Sequence, residues 1–332
     1  MAPSSSADTD PIVRKAQLAG GSTYTVSLPK DWADRQGLES GTELWLYALE
    51  DRVVVAPTAT TPDRQSVTVD VDGLADATLT RWLQAAYRTG SDRIVVTAGD
   101  GLSVEQQRTA KRTLSSLVGV TLESATEESV EARNLLDSGE VSLEQSIAQL
   151  RQLVTRMHRD AVDAVVEKDD ALARAIQRQT ADIDRVVALV SRQFRGALVD
   201  IAEVEHLETD RLRAFRHERT AQRLRQIGEA AARIASLGQR LELPPPTAVV
   251  DGLRQCVSAL SRMLDAALAG DIDEIARARE GLEAGLDAVE VTGPEDGEVV
   301  GRLLERYGQC AWAAAAIGDA TTEVGLVGGA DE

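Results

Sequence analysis

Between residues 140 and 242 apolar side chains recur at intervals of four and three. Leu143, Ile147, Leu150, Val154, Met157, Ala161 and Ala164 make one such run, and Leu172, Ile176, Gln179, Ile183, Val186, Val190, Phe194 and Ala197 make a second. Residues three or four apart share one face of an α-helix, so each run predicts a long helix with a single apolar stripe. A helix of that kind buries its stripe only against other helices laid side by side. A third helix over about 204–241 completes a three-helix bundle at 140–242. The stretch LPPPT, 243–247, then breaks the pattern as a hinge.

The pattern resumes beyond the hinge. DAVVEKDDALARA, from Asp163, is echoed by DAALAGDIDEIARA, from Asp265. In each, Asp-Ala is followed by an aspartate six residues on (Asp169 and Asp271) that suits the N-cap of the next helix. Three helices before the prolines and three after predict two copies of one bundle, the second over 247–325.

The N-terminal part follows a different period. Tyr24, Val26 and Leu28 alternate with Thr23, Thr25 and Ser27, which predicts a half-buried strand. Pro29 opens a helical turn that Gly37 stops, Leu44–Tyr47 predicts a second strand, Glu50 and Asp51 a hairpin tip, and Val53–Val55 a third strand. This compact β unit occupies 11–58, after a disordered tail at 1–10. Residues 66–132 alternate strand-like and helical segments in the order βαβαβ, with helices at about 76–89 and 103–118, and predict a small α/β layer.

Composition limits the role. The chain has 332 residues and a net charge of −18. Its 36 basic residues include only four lysines. So acidic and lysine-poor a surface resembles that of proteins from salt-accumulating halophiles, where the Debye length shrinks to about 3 Å at molar salt. No apolar run is long enough for a transmembrane span, so no membrane insertion is expected, and the tail lacks a signal-peptide core; the expected location is cytoplasmic. Cys256 and Cys310 belong to no CxxC and read as buried thiols. No P-loop, nucleophile elbow or dinucleotide fingerprint occurs, and the TAGDGLS loop at 97 lacks the lysine of a phosphate cradle, so the protein is not expected to be an enzyme. His158, His206 and His217 form no ligand spacing and are expected on helix surfaces or in helix packing.

Gly20, Gly21 and Ser22, then YTVSLPKDW, then GLESGTELWLY, give the opening segment a resemblance to the AbrB/SpoVT swapped-hairpin DNA-binding family. MHRDAVDAV at 157, ADIDRVVALVSRQF at 181, RLRQIGEAAARIA at 223 and, more faintly, LERYGQCAWAAAAIG at 303 resemble the PhoU family of phosphate-uptake regulators. As a whole the chain is similar to archaeal proteins that fuse the two. The expected fold is therefore mostly α: two PhoU-like three-helix bundles, preceded by a small swapped-hairpin β-barrel head and a βαβαβ spacer. A unit this small buries too little surface to be stable alone, which agrees with a head built by two chains.

The resemblance implies a homodimer that binds DNA, with Arg14, Lys15, Lys30, Arg35 and Arg52 as the candidate contacts. It also implies protein partners such as a phosphate-transporter ATPase or a signalling protein. The head holds five bases against six acids, whereas the chain after it holds 31 against 46. PhoU bundles usually carry paired carboxylates that hold iron or zinc, and here those pairs are broken. Arg225 stands where the first acid of the Arg225–Glu229 element is expected, Gln309 replaces the second acid after Glu305, and Thr180 replaces the partner of Asp184. Glu283 and Asp287 keep the spacing, as acids on a solvated helix often do. Asp184, Glu229, Glu283, Asp287 and Glu305 are thus weak candidate ligands, and no cofactor is expected. A regulator that binds DNA and an adaptor whose head only dimerises both remain open.

Overall fold

The computed structural model describes residues 11–48, 52–57, 66–199, 203–204, 207, 209–287 and 294–328. Its chain separates into two compact units, 1–61 and 62–332, and each is described by itself.

The first unit holds two antiparallel hairpins and one short helix. β1 (Gln17–Ala19) pairs with β2 (Thr23–Thr25). Gly20 and Gly21 make the turn between them with φ of 64° and 81°, values that glycine adopts at no steric cost. α1 (Lys30–Arg35) follows Pro29, and Gly37 leaves it at φ 67°. β3 (Trp45–Ala48) pairs with β4 (Val53–Ala56). These are two separate two-stranded sheets, so one chain shows no closed barrel among its described residues. The first hairpin also departs from expectation. Its second strand stops at Thr25 instead of running on to Leu28, and Tyr24 and Val26 are exposed where a half-buried strand was expected. The physical reason is that nothing in the unit packs on them: Ala56 is its one buried apolar residue among those described. The expected hairpin tip at Glu50 and Asp51 lies outside the described residues.

The second unit begins with a four-stranded sheet in the order β5-β6-β8-β7. β5 (Ser66–Asp70) runs parallel to β6 (Arg93–Thr97), joined through α2 (Asp76–Arg88). α3 (Val104–Ser116) leads on to the hairpin of β7 (Val120–Ala125) and β8 (Ser129–Asn134), and β8 inserts antiparallel beside β6. The layer is therefore βαβαββ, one strand more than the expected βαβαβ. Its core is formed by Val69, Val71, Leu79, Leu83, Tyr87, Ile94, Val96 and Leu114 with Val130 and Ala132 of β8.

Six long helices follow among the described residues: α4 (Leu143–Glu167), α5 (Asp170–Val199), α6 (Arg211–Gly238), α7 (Thr247–Ala269), α8 (Ile272–Asp287) and α9 (Pro294–Gly328). Three precede the prolines and three follow them. The first expected stripe is buried throughout, from Leu143 to Ala164. Both duplicated aspartates cap their helices. Asp169 Oδ1 accepts from the amides of Ala171 and Leu172 at 2.9 Å, and Asp271 Oδ1 from that of Glu274 at 2.9 Å. Each preceding helix ends in a left-handed residue, Gly270 in one copy and Lys168 in the other. Lysine rarely adopts φ 56°; here its Nζ donates to the carbonyls of Gly238 and Leu241 and so closes the end of α6. All six helices share one continuous core, because α4 packs on α7 and α6 on α9 across the two copies.

Candidate functional site

The five head bases are all exposed. Arg14 and Lys15 lead into the first hairpin, and Arg52 leads into β4. Lys30 and Arg35 are the first and last residues of α1, about 7–8 Å apart along its axis. Arg14 Nη1 donates to the neighbouring Val13 carbonyl at 3.1 Å.

The acidic positions of the bundles come together only in part. Asp184 on α5 and Glu229 on α6 converge, and the side chain between them is Arg225. Its Nε lies 2.7 Å from Asp184 Oδ1 and 3.3 Å from Glu229 Oε1, and Arg233 adds a second cation 3.8 Å from Glu229. A metal ligand must offer uncompensated lone pairs, whereas these two carboxylates already share a guanidinium. Thr180 Oγ1 turns back to the Gln177 carbonyl at 2.8 Å. In the second copy Glu283 accepts from Arg279 Nε at 2.9 Å, Glu305 from Gln309 Nε2 at 3.4 Å, and Asp287 is exposed at the end of α8. Among the described residues no group of three or more histidines, cysteines or acids is placed to hold a metal. This donor set does not fit an iron or zinc cluster.

Two of the histidines are buried in the helix packing, one of the two placements expected of them. His158 is 1% exposed, with Nε2 2.8 Å from the Ile227 carbonyl and 3.8 Å from Cys310 Sγ, and its ring is tilted against Tyr307. Burial lowers its pKa from 6.5 to about 4, so the ring is neutral and Nε2–H is the donor to Ile227. His217 is 4% exposed, and burial, then Arg216, lower its pKa in the same direction, with Glu144 opposing. His206 lies outside the described residues. Both cysteines are free and buried.

Sequence reasoning missed Arg192. From α5 it donates to the carbonyls of Tyr87 at 3.1 Å and Ser91 at 2.8 Å, pairs with Asp92 at 2.8 Å, and lies over the Tyr87 ring. Arg185 adds a bond to the Ser116 carbonyl at 2.8 Å, and Ala188 enters the core of the α/β layer. The layer is thereby fixed to the first bundle along α5. No signal in the sequence marks these residues, because their partners lie 69 positions away for Arg185 and 100 to 105 for Arg192.

Residues 147–237 match the family model of the PhoU domain. That segment is similar to a PhoU domain. That match spans most of α4, all of α5 and nearly all of α6, so the second copy, α7–α9, repeats the helix order of the matched segment outside it. Residues 17–63 match the family described as antidote-toxin recognition MazE, bacterial antitoxin. The chain thus joins a MazE/AbrB-like segment to a PhoU-like one, and neither description names an enzymatic activity. No curated protein and no solved structure matches the chain significantly. No described helix is long and apolar enough to cross a membrane.

Proposed function

We propose that the protein is a DNA-binding transcriptional regulator of phosphate uptake that acts as a homodimer. The MazE/AbrB-like head pairs two chains and contacts DNA, and the PhoU-like bundles relay phosphate status through protein contacts. The observation that carries the dimer is the state of the head. Leu18, Tyr24, Val26, Trp45, Leu46 and Val53 are all 49% exposed or more. Burying a side chain of this kind stabilises by about 1.5–3 kcal/mol, so leaving six in water forgoes roughly 10 kcal/mol. That is comparable to the whole stability of a small domain. Interleaving with a second copy supplies the missing partner surface and presents each of the five bases twice.

Lys and Arg contacts to phosphate supply most non-specific affinity for DNA, and bidentate Arg contacts read base edges. Molar salt weakens the first contribution, so in a chain suited to high salt arginines carry more of the recognition. The test is a promoter recovered by chromatin immunoprecipitation, titrated with the protein at high potassium. Arg14→Ala with Lys15→Ala is expected to abolish specific binding while dimer and helicity persist.

A second reading is favoured by the head's net charge of −1, which gives it no overall attraction to DNA. In it the head only dimerises, and the bundles restrain a phosphate-transporter ATPase or a sensor kinase. If the parent protein binds no DNA, or the double variant binds as well as the parent, this reading wins.

A further inference from the structure

A groove of about 490 Å³ runs along the seam where the first helix of each copy, α4 and α7, pack together. Arg159 lines it from α4, and Arg254 and Arg262 from α7, with Arg262 Nη2 also close to Gly281 of α8, where a Cβ would lie 3.1 Å from it. Between the two α7 arginines stand Ser258 and Ser261, over apolar walls made by Val162 and Val257. Three cations lining one groove stand out in a chain with 18 more acids than bases. None of the three has an ion-pair partner among the described residues, although Arg151 on the same α4 is paired with Asp265. The first aspartates of the two echoed segments, Asp163 and Asp265, therefore differ. Asp265 is neutralised by that pair, while its counterpart Asp163 is the one carboxylate among the lining residues, with Asp160 close enough to interact with it and with Arg159.

The spacing describes the ligand. Residues 254, 258 and 262 are successive i, i+4 positions, so they lie in one row, and eight residues at 1.5 Å each separate the outer pair by about 12 Å. Guanidinium forks at both ends of the row and a third facing them suit phosphoryl oxygens, which they bind bidentately. Serine hydroxyls in the middle add neutral donors. A single tetrahedral anion fills a small part of such a groove and meets one fork well. An elongated anion with charge along its length meets all of them.

The geometry points to a binding site for a phosphoanhydride chain, either inorganic oligophosphate or the polyphosphate moiety of a nucleotide, in the seam between the two bundles. This goes beyond the proposed function, because it gives the helical half a small ligand of its own and does not require that the head bind DNA. Occupancy would clamp α4 against α7 and so couple the two copies.

The test is isothermal titration calorimetry of the full chain, free of DNA, at one fixed potassium chloride concentration, with tripolyphosphate, orthophosphate, sulfate and ATP. Tripolyphosphate is expected to bind once per chain and tighter than orthophosphate or sulfate. Binding of ATP at similar strength assigns the site to the chain within a nucleotide; failure of ATP assigns it to the free inorganic anion. Arg254→Ala and Arg262→Ala should each weaken tripolyphosphate by about tenfold or more, as expected for a lost hydrogen bond between charged groups. Asp163→Asn should tighten it more than Asp287→Asn, which removes the same charge away from the groove; equal tightening by both would mark non-specific attraction to a polyanion and overturn the site. All three arginines are exposed, so circular dichroism of the variants is expected to match the parent. No heat with tripolyphosphate, equal affinity for orthophosphate, or unchanged affinity in both arginine variants would overturn the site. Arg14→Ala with Lys15→Ala should leave this titration untouched, which separates its failure from failure of the DNA reading.

Discussion

His158 sits in the seam between bundles as a neutral imidazole, its one N–H given to the Ile227 carbonyl and its other face against Tyr307 and Cys310. Holding it neutral has a consequence for pH. The unfolded chain takes up the proton near pH 6.5, while the folded chain resists until about pH 4. Stability is therefore fully present above about pH 6.5 and is lost as pH falls towards 4, by roughly 3 kcal/mol over that whole range. Chemical denaturation between pH 7 and 5 should show this loss, and His158→Gln should flatten it. A residual slope is expected from His217, which is depressed in the same direction; an unaltered slope in the variant would rule His158 out. Arg225 uses the opposite device, a charge cancelled in place. Its pairs with Asp184 and Glu229 are more than a third exposed, so Arg225→Ala should cost only about 0.2–1 kcal/mol. Elemental analysis of the parent, purified without chelator, should find well under one iron or zinc per chain, because the guanidinium already satisfies the two acids that converge there.

Among the elements, the two third helices carry matching glycines in different surroundings. Gly228 of α6 is where Ile183 of α5 crosses: a Cβ there would lie 2.1 Å from Ile183 Cδ1 and 3.3 Å from Val154 Cγ2. Gly308, its counterpart in α9, would meet nothing within 4 Å. Gly228→Ala should therefore destabilise by about 1–3 kcal/mol through overpacking. Gly308→Ala should stabilise by up to about 1 kcal/mol, because only helix propensity changes. Urea melts of both variants check the opposite signs. This asymmetry was not legible in the repeat, where RQIGE and ERYGQ look alike, because it depends on what the neighbouring helix brings to each glycine. What the sequence does show is whatever a single element decides. The stripe from Leu143 to Ala164 and the Asp169 and Asp271 caps could be read directly. β8 could not: SVEARN offers just Val130 and Ala132 to the core, and its charged remainder reads as loop. The acidic site was legible as broken ligand pairs. That Arg225 itself joins Asp184 to Glu229 needed the packing of α5 on α6. The α4–α7 groove was not legible at all, since Arg159 and Arg254 are ordinary helix-surface residues until the two copies pack.

At the scale of the whole molecule the two units differ in how their apolar surface is used. Unit 62–332 closes its own cores, one in the α/β layer and one shared by all six helices. Unit 1–61 spreads its apolar side chains over both hairpins and α1 without enclosing them. Leu46 decides between the two explanations of that difference. It is 66% exposed on β3, opposite Val55 of β4. If the head works as a single chain, Leu46→Asp changes a surface residue, and such changes usually stay within about 0.5 kcal/mol and leave the mass untouched. If two heads interleave, the same change places a carboxylate in the shared core, where an unpaired charge is tolerated only at great cost. The expected result is a halved mass by light scattering in high salt, with the helical circular dichroism retained because the bundles fold on their own cores. Removing residues 1–61 should likewise give a monomer of the shortened chain. If Leu46→Asp leaves the mass unchanged and the shortened chain loses only the mass of the residues removed, dimerisation lies in the bundles or nowhere. Promoter binding should be lost together with the dimer, since a monomer presents Arg14, Lys15, Lys30, Arg35 and Arg52 only once, and halving the phosphate contacts flattens the dependence of affinity on salt in proportion.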